Sequence, residues 1–166
     1  MKSIRAYILL AALVIGLPAL SQAQQAPEPM TDLYKALHAA ATDRKLAFIL
    51  LGRASCGNCN ATKALITEGK IPVTDTDFVM ADLNIDDARA EGEFMRKFGK
   101  EKFGCVLPFV VVTDSHGKVL AVSGGHRKVH QWRTLLEEAK NKAAEKALTT
   151  GTSASSSNWP FKPRPE

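Results

Sequence analysis

The sequence predicts an α/β domain with a central mixed four-stranded sheet flanked by helices on both faces. Three observations carry that reading. Short continuous apolar runs alternate with segments of helical period between residues 30 and 148, as in sheets with parallel pairs covered on both faces. The last two strand-like runs are joined only by SHGK, so they must be antiparallel. The two ends of the chain read as something other than folded domain, which leaves roughly 120 residues, enough for a single core.

The elements follow in order. Met30 to Lys45 is expected as a helix capped by Thr31 or Asp32, with Leu33, Leu37 and Ala40 or Ala41 as its apolar stripe. Leu46 to Leu51 is a continuous apolar run, the pattern of a strand buried on both faces. The loop GRAS leads to a helix that begins at the first cysteines and closes near Gly69 and Pro72. Phe78 to Ile85 is the next strand. Asp86 to Phe98 is a helix with Phe94, Met95 and Phe98 turned inward. Pro108 opens a third strand, PFVVVTD, and VLAVSG forms the fourth. Arg127 to Leu148 is a long terminal helix carrying Val129, Trp132, Leu135 and Leu136.

Met1 to Ala23 reads as a secretory signal: Lys2 and Arg5, then the apolar run Ala6 to Leu17, then Pro18 and small residues before a cut after Ala23. Residues 24–29 form a short linker. No cysteine near the cut supports a lipid anchor, and after cleavage no membrane attachment is expected. Export to the periplasm or the exterior places paired cysteines where disulfides persist. The segment TTGTSASSSNWPFKPRPE, 149–166, is too polar to bury the apolar surface that would offset its ordering entropy. The net charge of +5 includes two charges in the signal, and no basic stripe with interleaved aromatics marks a nucleic-acid surface.

The chemistry concentrates at SCGNC. Cys56 lies where a helix begins, where bare backbone N–H groups and the helix dipole favour negative charge. It is the expected nucleophile, because the thiolate is the reactive form. Cys59, one turn on and on the same face, is close enough to close a disulfide. Cys105 is an odd third thiol, either an accessory reactive group or a bystander. Three readings of the pair are open: a cycling thiol couple, a metal clip using Cys56, Cys59, Cys105 and His126, or a structural staple. Zinc or copper(I) accepts three sulfurs and one nitrogen, although the spacing is not that of a zinc finger. A disulfide across so short a loop removes little unfolded-state entropy, which argues against a staple.

Four stretches, LAFILLGRASCGNC, FVMADLNIDD, GCVLPFVVVTDSHGKVL and SGGH followed by a helix, resemble the thioredoxin fold over roughly Ala47 to Leu136. The closest resemblance is to exported thioredoxin-like proteins that trade thiols and disulfides with other proteins. It implies that Cys56 attacks and Cys59 resolves. It also implies a cis Pro108, with Leu107 offering its backbone to a partner chain and Gly125 flanking the groove. His126, directly after Gly125, is placed to face Cys56.

The sequence also departs from the family. Ser55 and Asn58 stand where thioredoxins carry Trp and Pro around their cysteines. Leu50 occupies the position of a buried Asp, and Asp82 that of a buried Lys. Asp82 is therefore the expected proton acceptor for Cys59. The resulting expectation is an exported protein thiol–disulfide oxidoreductase, monomeric or weakly dimeric. It would exchange with protein thiols and disulfides and with a separate redox partner. No organic cofactor, resident metal or nucleic acid is expected.

Overall fold

The computed structural model describes residues 25–150. The signal expected over 1–23 and, after Thr150, the rest of the tail expected over 149–166 lie outside the described residues.

The chain enters through a two-residue strand, β1 (Pro29–Met30). Asp32 then caps the first helix, its carboxylate accepting from the Lys35 N–H at 2.9 Å. α1 (Leu33–Asp43) buries Leu33, Ala36, Leu37 and Ala40, a stripe at three- and four-residue spacing. It ends where Arg44 turns left-handed, with φ of 56°.

β2 (Leu46–Gly52) is buried at every position but Leu46. It pairs in parallel with β3 (Phe78–Asn84), Leu50 opposite Asp82 and Gly52 opposite Asn84. α2 (Gly57–Thr67) connects them. α3 (Ala88–Phe98) follows β3, its first N–H groups capped by Asp87. β4 (Phe109–Thr113) runs antiparallel to β2, and β5 (Val119–Gly124) antiparallel to β4. α4 (Val129–Thr150) closes the chain.

The sheet order is β1-β3-β2-β4-β5. One face packs α1 and α3 through Leu37, Phe94 and Phe98. The other packs α2 and α4 through Ile66, Trp132 and Leu136. Strand direction gathers the site. Leu51 pairs with Phe109, and Phe109 with Gly124. The end of β2, the end of β3, the start of β4 and the end of β5 therefore meet at one rim of the sheet.

Four expectations are corrected. The sheet has five strands rather than four, and Met30 belongs to β1, pairing with Ala81, rather than to a helix. Two residues, one of them a proline, are too few to show an alternating pattern, and only the neighbouring strand defines them. Met95 is 43% exposed rather than turned inward, and Glu93 is 6% exposed in its place. At 100° per residue, Phe94 and Phe98 define the buried face and Met95 falls off it. Last, α4 runs through Thr150 and so takes in the first two residues of the segment expected as tail.

Candidate functional site

The rim is built around the start of α2. Cys56 is the N-cap residue, and its sulfur accepts the Cys59 N–H at 3.1 Å. A sulfur thus stands where Ser or Asp usually satisfies a bare helix N–H. Cys56 and Cys59 are joined as a disulfide, their Cα atoms 5.2 Å apart. Cys56 is half-buried and Cys59 fully buried, so one sulfur faces outward and the other faces the core.

The loop before α2 is held at several points. The Cys56 N–H donates to the Arg53 carbonyl at 3.1 Å. The Asn60 side-chain amide donates to the Ala54 carbonyl at 3.0 Å. The Ile85 N–H donates to the Gly52 carbonyl at 2.7 Å, and Arg53 pairs with Asp86 at 3.0 Å. These bonds tie the loop to β3 on one side and to α2 on the other.

Beneath the pair, Leu50 is fully buried. Asp82, its neighbour on β3, is half-buried and ion-paired with Lys63 at 3.0 Å. Lys63 follows Cys59 by four residues, so it extends from the same side of α2. The charged pair in this layer therefore joins β3 to α2.

Across from the cysteines, the Leu107–Pro108 peptide bond is cis. The Gly125 N–H donates to the Pro108 carbonyl at 3.0 Å, and Val106 packs beside Gly125. A Cβ on Gly124 would overlap the Phe103 carbonyl oxygen, so the two loops close on each other only because that position is glycine. Cys105 is an exposed free thiol three residues before Pro108, and His126, directly after Gly125, is exposed.

The structure therefore brings together Cys56 with Cys59, and Pro108 with Gly125, at one end of the sheet. It does not assemble the alternative metal set of Cys56, Cys59, Cys105 and His126. Among the described residues, no group of three or more His, Cys, Asp and Glu side chains is gathered to hold a metal ion. Among the same residues, no helix is long and apolar enough to cross a membrane.

Sequence reasoning missed two residues here. Lys63 was legible as the residue four after Cys59, but its partner on β3 was not. Gly52 lies against the resolving sulfur: a Cβ there would fall 2.8 Å from Cys59 Sγ and 3.1 Å from Leu50 Cδ2.

No protein-family model matches the sequence, and a search of curated proteins finds no match. Solved structures do match. A thioredoxin variant from Halobacterium salinarum superposes with a TM-score of 0.52 at 16% identity, covering 69% of this chain and 90% of that one. A thioredoxin from Nicotiana alata gives 0.50 at 16% identity, covering 71% and 96%. A thioredoxin-like protein from Clostridium perfringens gives 0.52 at 12% identity, covering 76% and 90%. With the strand order, the cysteine pair at the start of α2 and Pro108 opposite it, these superpositions identify the fold of residues 25–150 as that of thioredoxin.

Proposed function

We propose that the chain is an exported protein thiol–disulfide oxidoreductase. The observation that carries this is the Cys56 sulfur at the first turn of α2, accepting the Cys59 N–H. Release of Cys56 from a mixed disulfide leaves charge on its sulfur, and a helix N-terminus stabilises that charge.

In the disulfide form, a partner thiolate attacks Cys56 Sγ and the Cys56–Cys59 bond breaks. Cys59 leaves as a thiolate and takes up a proton, for which Asp82, on β3 beside Leu50, is the exchanging carboxylate. A second partner thiolate then attacks the partner sulfur in the mixed disulfide and releases Cys56. Two electrons have passed from the partner dithiol to the pair. In reverse, the Cys56 thiolate attacks a partner disulfide. Cys59, after giving its proton to Asp82, displaces the partner as a dithiol. The Leu107–Pro108 backbone and Gly125 form the wall along which the partner chain lies, with His126 at its edge. A separate dithiol or disulfide carrier must restore the pair after each cycle.

The test is the reduction potential of the pair. The chain is equilibrated in graded thiol–disulfide buffers and its alkylated cysteines are counted by mass. A value near about −270 mV assigns a reductant, and one near about −120 mV a disulfide donor. A pair that never titrates overturns the proposal.

A further inference from the structure

Three of the segments that border the cysteine pair carry charge of one sign only, while the fourth, 84–87 from the end of β3, carries Asp86 and Asp87. The three are 52–60 around Cys56, 102–108 leading into the cis proline, and 124–131 after β5. Together they hold Arg53, Lys102, Arg127 and Lys128, with His126 and His130, and no Asp or Glu. Arg53 is engaged by Asp86, and the Arg127 guanidinium is held on Ser123. Lys102 and Lys128 are exposed. They belong to the two segments that together make one wall of the groove, joined where Phe103 closes on Gly124 and Pro108 bonds Gly125.

Two further features add to the positive field. α2 and α4 both begin at this rim, and neither has an acidic residue in its first turn. Most carboxylates near this end are held by other groups. Asp86 pairs with Arg53, Asp82 pairs with Lys63, Asp87 caps α3, and Asp32 and Glu93 hold Arg89 on the α1–α3 side, while Glu101 stands directly before Lys102. Within this wall, Val106 is 55% exposed beside Cys105 and Leu107, which supplies an apolar floor.

We infer that the groove receives an extended, acidic segment of a partner protein, with Asp or Glu flanking the reacting cysteine and an apolar side chain over Val106. This rests on the oxidoreductase reading and narrows its substrate class. Opposite charge raises encounter rates and excludes basic segments, while the apolar floor fixes the register.

The experiment uses the full chain, reduced and freed of reductant, with two peptides of equal length, each closed by one disulfide. One carries Glu and the other Lys beside its cysteines. As each peptide disulfide gains two electrons and two protons, Cys56 and Cys59 lose them and close. Bis(2-hydroxyethyl) disulfide, a linear and uncharged disulfide, serves as the reference oxidant. The acidic peptide is expected to react about 10-fold faster or more at low salt. The gap should collapse at about 0.5 M salt. The Lys102→Glu/Lys128→Glu variant should abolish or invert the ratio of the two rates. Equal peptide rates in a chain that exchanges with the reference disulfide overturn the acidic partner alone, as does a ratio unmoved by the double variant. A chain that exchanges with neither peptide nor the reference disulfide overturns the oxidoreductase reading and this inference with it.

Discussion

At the scale of single residues, Gly52 and Lys63 shape the site more than their types suggest. Gly52 leaves room for the Cys59 sulfur and the Leu50 side chain in the same small volume. Gly52→Ala should therefore destabilise the oxidised chain by about 1–3 kcal/mol, the usual range for overpacking. Urea unfolding of the oxidised form reads it, and an unchanged midpoint would show that the loop yields freely. Lys63 acts differently. Its ion pair with Asp82 is partly open to water, with side chains 32% and 25% exposed, so screening limits its worth. Lys63→Met should cost less than about 1 kcal/mol in stability. It should nevertheless slow release of a mixed disulfide held on Cys56, because Asp82 loses its tether to α2. Unfolding midpoints and stopped-flow exchange separate the two effects. A large loss of stability with unchanged exchange would make the pair purely structural.

At the scale of elements, α2 presents one sulfur outward and keeps the other inside. Reduced chain treated with iodoacetamide at neutral pH should label Cys56 and Cys105 in the native state. Cys59 should label only after unfolding, and Cys56 should react fastest because it sits at the helix start. Equal labelling of Cys56 and Cys59 by mass would contradict the placement of Cys59 in the core. α3 depends on a charged link of its own. Arg89 donates to Glu93 at 3.1 Å and to Asp32 at 3.2 Å, joining α3 to the cap of α1. The same neighbours hold the guanidinium pKa above its ordinary value, the Glu93 hydrogen bond most of all. Arg89→Met leaves the Glu93 carboxylate almost buried without its partner. It should destabilise the domain more than Lys63→Met does, and the comparison of their thermal midpoints checks that order.

At the scale of the whole molecule, the sheet separates two apolar layers, and Trp132 is the largest fully buried side chain. Its ring packs 5.9 Å from Phe48, and its indole N–H has no hydrogen-bond partner among the described residues. Its contribution is therefore packing alone. Trp132→Ala should cost about 3–5 kcal/mol. Trp132→Phe should cost less than half of that, since no hydrogen bond is lost with the indole. A Phe variant as damaged as the Ala variant in urea unfolding would reveal a polar role. The same sheet sets the site by direction: β4 runs against β2, so the chain re-enters at the cysteine rim just before Phe109. Phe103, stacked on Phe109 at 5.2 Å, fixes that entry.

The sequence by itself determined the order of elements from α1 to α4, the buried character of β2, β3 and β4, and the cysteine pair at a helix start. These are local patterns of period, capping and composition, and each can be read within about ten residues. It also carried Leu107, Pro108 and Gly125 as one wall through their likeness to a known pattern, while a residue-by-residue reading left the pair open between three uses. Only the tertiary structure decided the rest. β1 exists because β3 offers an edge to Pro29–Met30, and Met95 is exposed because Phe94 and Phe98 claim the inner face. Asp82 meets Lys63 because α2 lies over β3, and among the described residues Cys105 and His126 do not join the cysteine pair as a group that could hold a metal. Each of these depends on residues distant in the chain meeting across the sheet, and periodicity along one segment holds no information about what another segment brings to it.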